Sequence, residues 1–249
     1  MDRCLDSELQ FASRSKVVCV GGSGGQGLED LGHFLRALPG NLDASLLVTL
    51  HRPVGVPSYL RHILQRHFAG PVVVAEDGAP LVPGTCYIGE PDQHLTLGTG
   101  RCAALIPDAE HALRNRTIDA LFLSVAEHAG AFGTGVILSG SLSDGSAGLA
   151  TIHAAGGTVM AVTPSSHFWS DMPRNAIGRV GSLAVVDNVA GLAARFGTGE
   201  TNPGIPRHEW RDGAPFPLSR VLGPIDGAKR PAEPAGEVGR TKPRSGQTT

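Results

Sequence analysis

The chain has little that would ligate a metal, cross a membrane or hold a polyanion. Its four cysteines are Cys4, Cys19, Cys86 and Cys102. None forms a C-x-x-C pair and none stands at zinc-ligand spacing from a histidine, so no metal site is expected. Cys19 falls in an apolar run, where a free thiol acts as a small hydrophobic residue. No apolar run approaches the roughly 20 residues that a membrane-spanning helix needs. The opening MDRCLDSELQFASRSK lacks the apolar segment of a secretory signal. A formal net charge of −2, with no long basic block, leaves nucleic-acid binding without electrostatic support. The expectation is a cytoplasmic protein, disulfide-free in that reducing setting, that inserts in no membrane and binds no nucleic acid. Nothing in the sequence demands a cofactor or an oligomer, so neither is expected.

What the chain does have is enough apolar sequence for one sizeable α/β domain: 249 residues, 41% hydrophobic, with 34 glycines. Short apolar runs at 17–20, 45–50, 71–74, 135–138, 158–162 and 183–186 read as strands. Amphipathic stretches at 27–38, 57–67, 118–129, 146–155, 173–178 and 189–196 read as helices. Strands rich in Val, Ile and Leu, alternating with helices, predict a three-layer, doubly wound, mainly parallel sheet covered on both faces. Between 75 and 115 the pattern breaks at Asp77-Gly78, Pro83-Gly84 and Leu97-Gly98, which predicts a β-hairpin excursion. Residues 1–15 are polar and aperiodic and read as a flexible arm. Across 198–249 proline becomes frequent and the periodicity fades, which predicts a largely disordered tail.

The densest signal is KVVCVGGSGGQGLEDL at 16–31. An apolar run meets a glycine cluster, and a helix with Leu28, Leu31, Leu35 and Leu38 on one face follows. The glycines satisfy two motifs at once. Gly22-Ser23-Gly24-Gly25-Gln26-Gly27 is a G-x-G-x-x-G phosphate cradle, and Gly21-Gly22-Ser23-Gly24-Gly25 is a G-x-S-x-G nucleophile turn. The other strand ends weigh between them. A dinucleotide fold wants an acidic residue at the end of the second strand, and that place is held by His51 and Arg52; Arg52 would suit the 2′-phosphate of NADP, which leaves a weak dinucleotide reading open. The turn after 135–138 carries Asp144. Parallel strands thus deliver Ser23, His51 and Asp144 to one edge of the sheet. They are the parts of a nucleophile, a general base and an orienting carboxylate. The backbone N–H of Gly24 suits an oxyanion. The chain order Ser, His, Asp differs from the Ser, Asp, His order of α/β-hydrolases.

On these residues the chain resembles the catalytic domain of the chemotaxis protein-glutamate methylesterase family, CheB. The likeness runs over 16–197. It includes the Gly-x-Ser turn at 21–23, the strand ending in His51, EDGAPLVPGTCYIGEPDQHL at 76–95 and RTIDALF at 116–122. GVILSGSLSDGSAGL at 135–149, then AAGGTVMAV and DMPRNAI, complete it. The resemblance implies a Ser-His-Asp hydrolase of glutamate methyl esters on chemoreceptor cytoplasmic helices, able in some members to deamidate glutamines. It places the nucleophile at Ser23, the base at His51, the acid at Asp144 and a cleft wall at Met172.

Three departures accompany the likeness. Ser23-Gly-Gly-Gln-Gly27 carries one residue more than the family's Ser-x-Gly-Gly. Leu142 stands where the family's loop has a second glycine, a position that strains leucine if its φ is positive. Only 15 residues precede the first strand, so a stand-alone domain without the family's receiver domain is expected. The insertion and Leu142 motivate the alternative of a non-catalytic module that binds receptors or signalling partners.

Overall fold

The computed structural model describes residues 16–52, 58–107, 116–164 and 170–197. The expected N-terminal arm, the expected tail and the first residue of the helix expected over 57–67 lie outside them. Nine strands and six α-helices are present among the described residues. In chain order they are β1 (Lys16–Ser23), α1 (Gly24–Ala37), β2 (Ala44–His51), α2 (Leu60–Gln65), β3 (Val72–Val74) and β4 (Cys86–Ile88). Then come β5 (Gln93–Leu97), β6 (Ala103–Pro107), α3 (Thr117–Ala129), β7 (Gly133–Ile137) and α4 (Ser146–Ala154). β8 (Thr158–Val162), α5 (Asp171–Val180), β9 (Val185–Asp187) and α6 (Val189–Ala194) complete the fold.

Seven strands form one sheet in the order β3-β4-β2-β1-β7-β8-β9, and every neighbouring pair is parallel. Parallel strands need covered faces, and alternation along each strand supplies two cores. Val18, Val20, Leu46, Val48 and Val136 face one side, with Leu31, Phe34 and Leu35 of α1, Leu64 of α2 and Leu192 of α6. Val17, Cys19, Leu47, Ile137 and Val159 face the other, with Ile118, Leu121 and Phe122 of α3, Leu149 and Ile152 of α4, and Met172 of α5. The sheet is therefore the middle of three layers. Its chain order reverses between β1 and β7, and the crevice outside the carboxyl ends of such strands is where open α/β sheets place their sites.

The hairpin expected between 75 and 115 is β5–β6, an antiparallel pair with Leu95 opposite Leu105. The same region also holds β4, which the sequence pattern does not reveal. β4 joins the main sheet between β3 and β2. With three residues, Cys-Tyr-Ile, it is too short to show a period, and its place is fixed by partners on both sides.

The helix pair α3–α4 covers the second face and meets at a glycine. A Cβ on Gly148 would lie 2.4 Å from Phe122 Cβ and 3.1 Å from the Asp119 carbonyl oxygen. Neither atom can swing away. Gly148→Ala is expected to destabilise the domain by about 1–3 kcal/mol through overpacking, outweighing the gain of about 1 kcal/mol in helix propensity. Urea unfolding monitored by circular dichroism measures it, and an alanine variant as stable as the wild type contradicts this close approach.

Candidate active site

Ser23 and His51 are the last residues of β1 and β2 and are register partners across the parallel ladder. Neighbouring strands lie about 4.8 Å apart, and in-register side chains point to the same side. Odd positions on both strands face α3, as Val17, Cys19 and Leu47 do, so Ser23 and His51 also emerge on that side. Ser23 is extended (φ −147°, ψ 145°), and its side chain does not cap the helix that follows. Its N–H donates to the Ser139 carbonyl at 3.0 Å, which ties the end of β1 to the turn after β7.

The 139–145 turn brings in the third group. His51 Nε2 lies 2.7 Å from Asp144 Oδ2. The His51 side chain is 22% exposed and the Asp144 side chain 2%. Two more donors converge on the same carboxylate: the Ile118 N–H at 3.0 Å on Oδ2 and the Asp119 N–H at 2.9 Å on Oδ1. Both belong to the first turn of α3, where backbone N–H groups lack intrahelical partners and negative charge is favoured. Asp144 thus caps α3 and holds the imidazole at once.

Asp119 returns the contact. Its Oδ1 accepts from the Gly148 N–H at 2.8 Å, in the first turn of α4. Each helix is capped by an aspartate from the other's entry. Burial raises the Asp119 pKa and the Asp144 charge adds to the rise, while bonds from the Gly148 and Gly145 N–H groups and the charge of Arg116 oppose it. Asp119 lies within the RTIDALF stretch, whose pattern predicts no role for it. An acidic residue in a helix's first turn is the one signal available, and the partner helix is visible only in three dimensions.

The floor beside Ser23 is tightly built. A Cβ on Gly140 would lie 2.9 Å from Ser23 Cβ and 2.1 Å from Met172 Sδ. The Met172 N–H donates to the Gly140 carbonyl at 3.1 Å. Met172 is wholly buried and packs against Gly140 of the turn. Gly24 opens α1 with φ +70°, and a Cβ there would meet nothing within 4 Å. Gly24 is exposed, which leaves this flank of Ser23 open.

The third glycine of the G-x-G-x-x-G spacing, Gly27, is buried against this turn: a Cβ there would lie 2.7 Å from the Ser139 carbonyl oxygen. Asp30 completes the brace, accepting from the Ser139 N–H at 3.1 Å and from Gln26 Nε2 at 3.1 Å. The glycine serves close packing of α1 on the 139–145 turn. Arg52 points its guanidinium to Ser58 Oγ and the Gly89 carbonyl, and burial lowers its pKa, with Glu90 opposing. Burial also pushes the Cys19 thiol up and the Cys86 thiol up to about 12. Neither is a thiolate at neutral pH. Among the described residues no cluster of His, Cys, Asp and Glu could hold a metal ion.

Leu142 has φ +68° and is 65% exposed. Left-handed backbone costs a residue with a Cβ about 1–2 kcal/mol. Asn175 Nδ2 of α5 donates to its carbonyl at 2.7 Å, which helps hold the conformation. The strain anticipated from the glycine-to-leucine departure is present.

A doubly wound parallel sheet with a serine and a hydrogen-bonded histidine–aspartate pair at its carboxyl edge defines an α/β protein with its candidate site at the strand ends. The sequence model of the CheB methylesterase family matches residues 18–194, and the chain belongs to that family. It is 36% identical over 182 residues to a protein-glutamate methylesterase/protein-glutamine glutaminase of Pectobacterium atrosepticum, covering 72% of this chain and 51% of the relative. It is 36% identical over 178 residues to one of Salmonella typhimurium, covering 70% of this chain and 50% of that one. The chain therefore spans about half the length of the curated relatives it matches. The crystal structure of the Thermotoga maritima CheB methylesterase catalytic domain is similar at a TM-score of 0.65 and 28% identity, covering 73% of this chain and 97% of that one.

The raised pKa of Asp119 sets a sign for pH dependence. A carboxyl whose folded pKa is raised adds stability in its protonated form, and that contribution is lost as pH rises through the folded pKa. Asp119→Asn keeps an acceptor for the Gly148 N–H and removes the charge. It should be most favourable relative to wild type at neutral pH, with the advantage shrinking as the medium is acidified through the Asp119 pKa. Asp119→Ala removes the cap and should cost about 1–2 kcal/mol. Urea unfolding of both variants across that pH range decides; an asparagine variant whose advantage grows in acid contradicts the assignment.

Proposed function

We propose that the domain is a serine hydrolase that removes methyl esters from glutamate residues of chemoreceptor cytoplasmic helices. Its family and the names of its relatives supply the substrate class. The observation that carries the reading is the 2.7 Å bond from His51 Nε2 to Asp144 Oδ2, on a histidine that stands in register with Ser23.

The geometry supports the following steps. With Nε2–H donated to Asp144, the lone pair of the neutral imidazole lies on Nδ1. That nitrogen takes the Ser23 hydroxyl proton as Oγ attacks the ester carbonyl. The resulting oxyanion finds the Gly24 N–H at the start of α1, whose first-turn donors are unengaged within the helix. Asp144 fixes the ring and stabilises the imidazolium. The imidazolium then protonates the leaving methoxide, methanol departs, and an acyl-enzyme remains on Ser23. Water, deprotonated by the same nitrogen, hydrolyses it and restores Ser23. On a glutamine side chain the same path releases ammonia. No metal or cofactor is needed for any step.

The substrate is a protein in the cytoplasm, and no helix among the described residues is long and apolar enough to cross a membrane. The rival reading, a partner-binding module without catalysis, requires Ser23 to be unactivated.

Ser23→Ala should reduce methanol release from a methylated receptor fragment by at least about 10³-fold with an unchanged circular dichroism spectrum. A fluorophosphonate probe should label the wild type at Ser23 and leave the variant unlabelled. Wild-type protein that takes no label and releases no methanol supports the binding-module reading instead.

A further inference from the structure

Leu142 performs no structural task that needs its side chain. Its carbonyl is used, by Asn175 Nδ2, and its main chain lies in the left-handed region at φ +68°. Glycine would supply the same carbonyl and the same backbone without the strain. The side chain itself is 65% exposed and buries little against the domain. A strained residue persists where something else depends on it. Within the described residues the side chain has no such dependent, since it stands exposed.

The position says where. Two residues before Leu142, Gly140 packs against Ser23, its notional Cβ 2.9 Å from Ser23 Cβ. Two residues after it, Asp144 holds His51. Leu142 therefore projects from the span that joins nucleophile to acid. β7 is the neighbour of β1 in the sheet, so the turn that follows it borders Ser23.

We propose that Leu142 is a specificity-determining residue, meeting an apolar side chain of the substrate helix one turn from the esterified glutamate. The inference rests on the proposed methylesterase function. Residues three or four apart share a helix face, so a glutamate ester presented to Ser23 carries its neighbours one turn away onto the rim of the site. An apolar neighbour on the Leu142 side is bound, and a charged one there is left without a partner.

The test compares Leu142→Gly and Leu142→Met with wild type on a methylated receptor cytoplasmic fragment, reading KM and kcat from methanol release. Leu142→Gly should raise KM about fivefold or more, the effect of half-burying a leucine side chain, with kcat within about twofold of wild type. Leu142→Met should restore the wild-type KM. The melting temperature of Leu142→Gly should not fall, since strain is relieved. A wild-type KM in Leu142→Gly, or a fall in kcat at constant KM, overturns the assignment while the methylesterase reading stands. Wild-type protein that cleaves p-nitrophenyl acetate but releases no methanol from the fragment overturns both.

Discussion

Two aspartates exchanged between two helices hold this site together. Asp144, just before α4, accepts from the first-turn N–H groups of α3, and Asp119, in the first turn of α3, accepts from the first turn of α4. Helix starts carry unpaired donors and a partial positive charge, so each carboxylate answers a need that the other helix creates. The exchange sets the spacing of α3 and α4, and Gly148 lets the two come close enough for it. The catalytic role asked of Asp144 is a by-product of that position: once the carboxylate is pinned by α3, its Oδ2 stands 2.7 Å from His51 Nε2. A carboxylate braced from two sides cannot follow the ring, so the ring is held to it.

The cost of the arrangement falls on Asp119. It is the more exposed of the two to electrostatic conflict, with burial and the Asp144 charge both raising its pKa. Two negative groups beside one another are tolerated because first-turn N–H donors face each of them. Of the two, Asp144 is the one that also bonds His51, through Oδ2 at 2.7 Å from Nε2. Helix capping and the hold on His51 therefore draw on a single cluster of groups.

Much of this was legible in the sequence because parallel strands end at one edge. Knowing only that 17–20, 45–50 and 135–138 are strands of a parallel sheet is enough to bring Ser23, His51 and Asp144 to the same side. The register that pairs Ser23 with His51 is seen only in the structure, where Lys16–Ser23 and Ala44–His51 run side by side. The α/β layering was legible for the same reason, as each strand's alternation serves two cores. What escaped is set by tertiary partners. β4 has three residues and no period of its own. Asp119 looks like any acid in a first turn until α4 is beside it. Met172 carries the right motif, yet its burial under Gly140 depends on how α5 enters. Gly27 satisfied a phosphate-binding spacing while its true constraint was the Ser139 carbonyl, an atom 112 residues further on.

The two sides of Ser23 differ in kind, and the difference orients any acyl group bound there. Towards β7 the serine is walled by main chain: Gly140 against its Cβ, the Ser139 carbonyl on its N–H, Met172 below. Towards α1 there is space, with nothing within 4 Å of a Cβ on Gly24 or Gly25. An ester carbonyl that met the β7 side would face carbonyl oxygens, which cannot stabilise a developing negative charge. On the α1 side the proposed reaction has the first-turn N–H groups at the positive end of a helix. Electrostatics and space agree on that direction. On the proposed function, the remainder of the substrate then passes the rim of the 139–145 turn, where Leu142 is exposed.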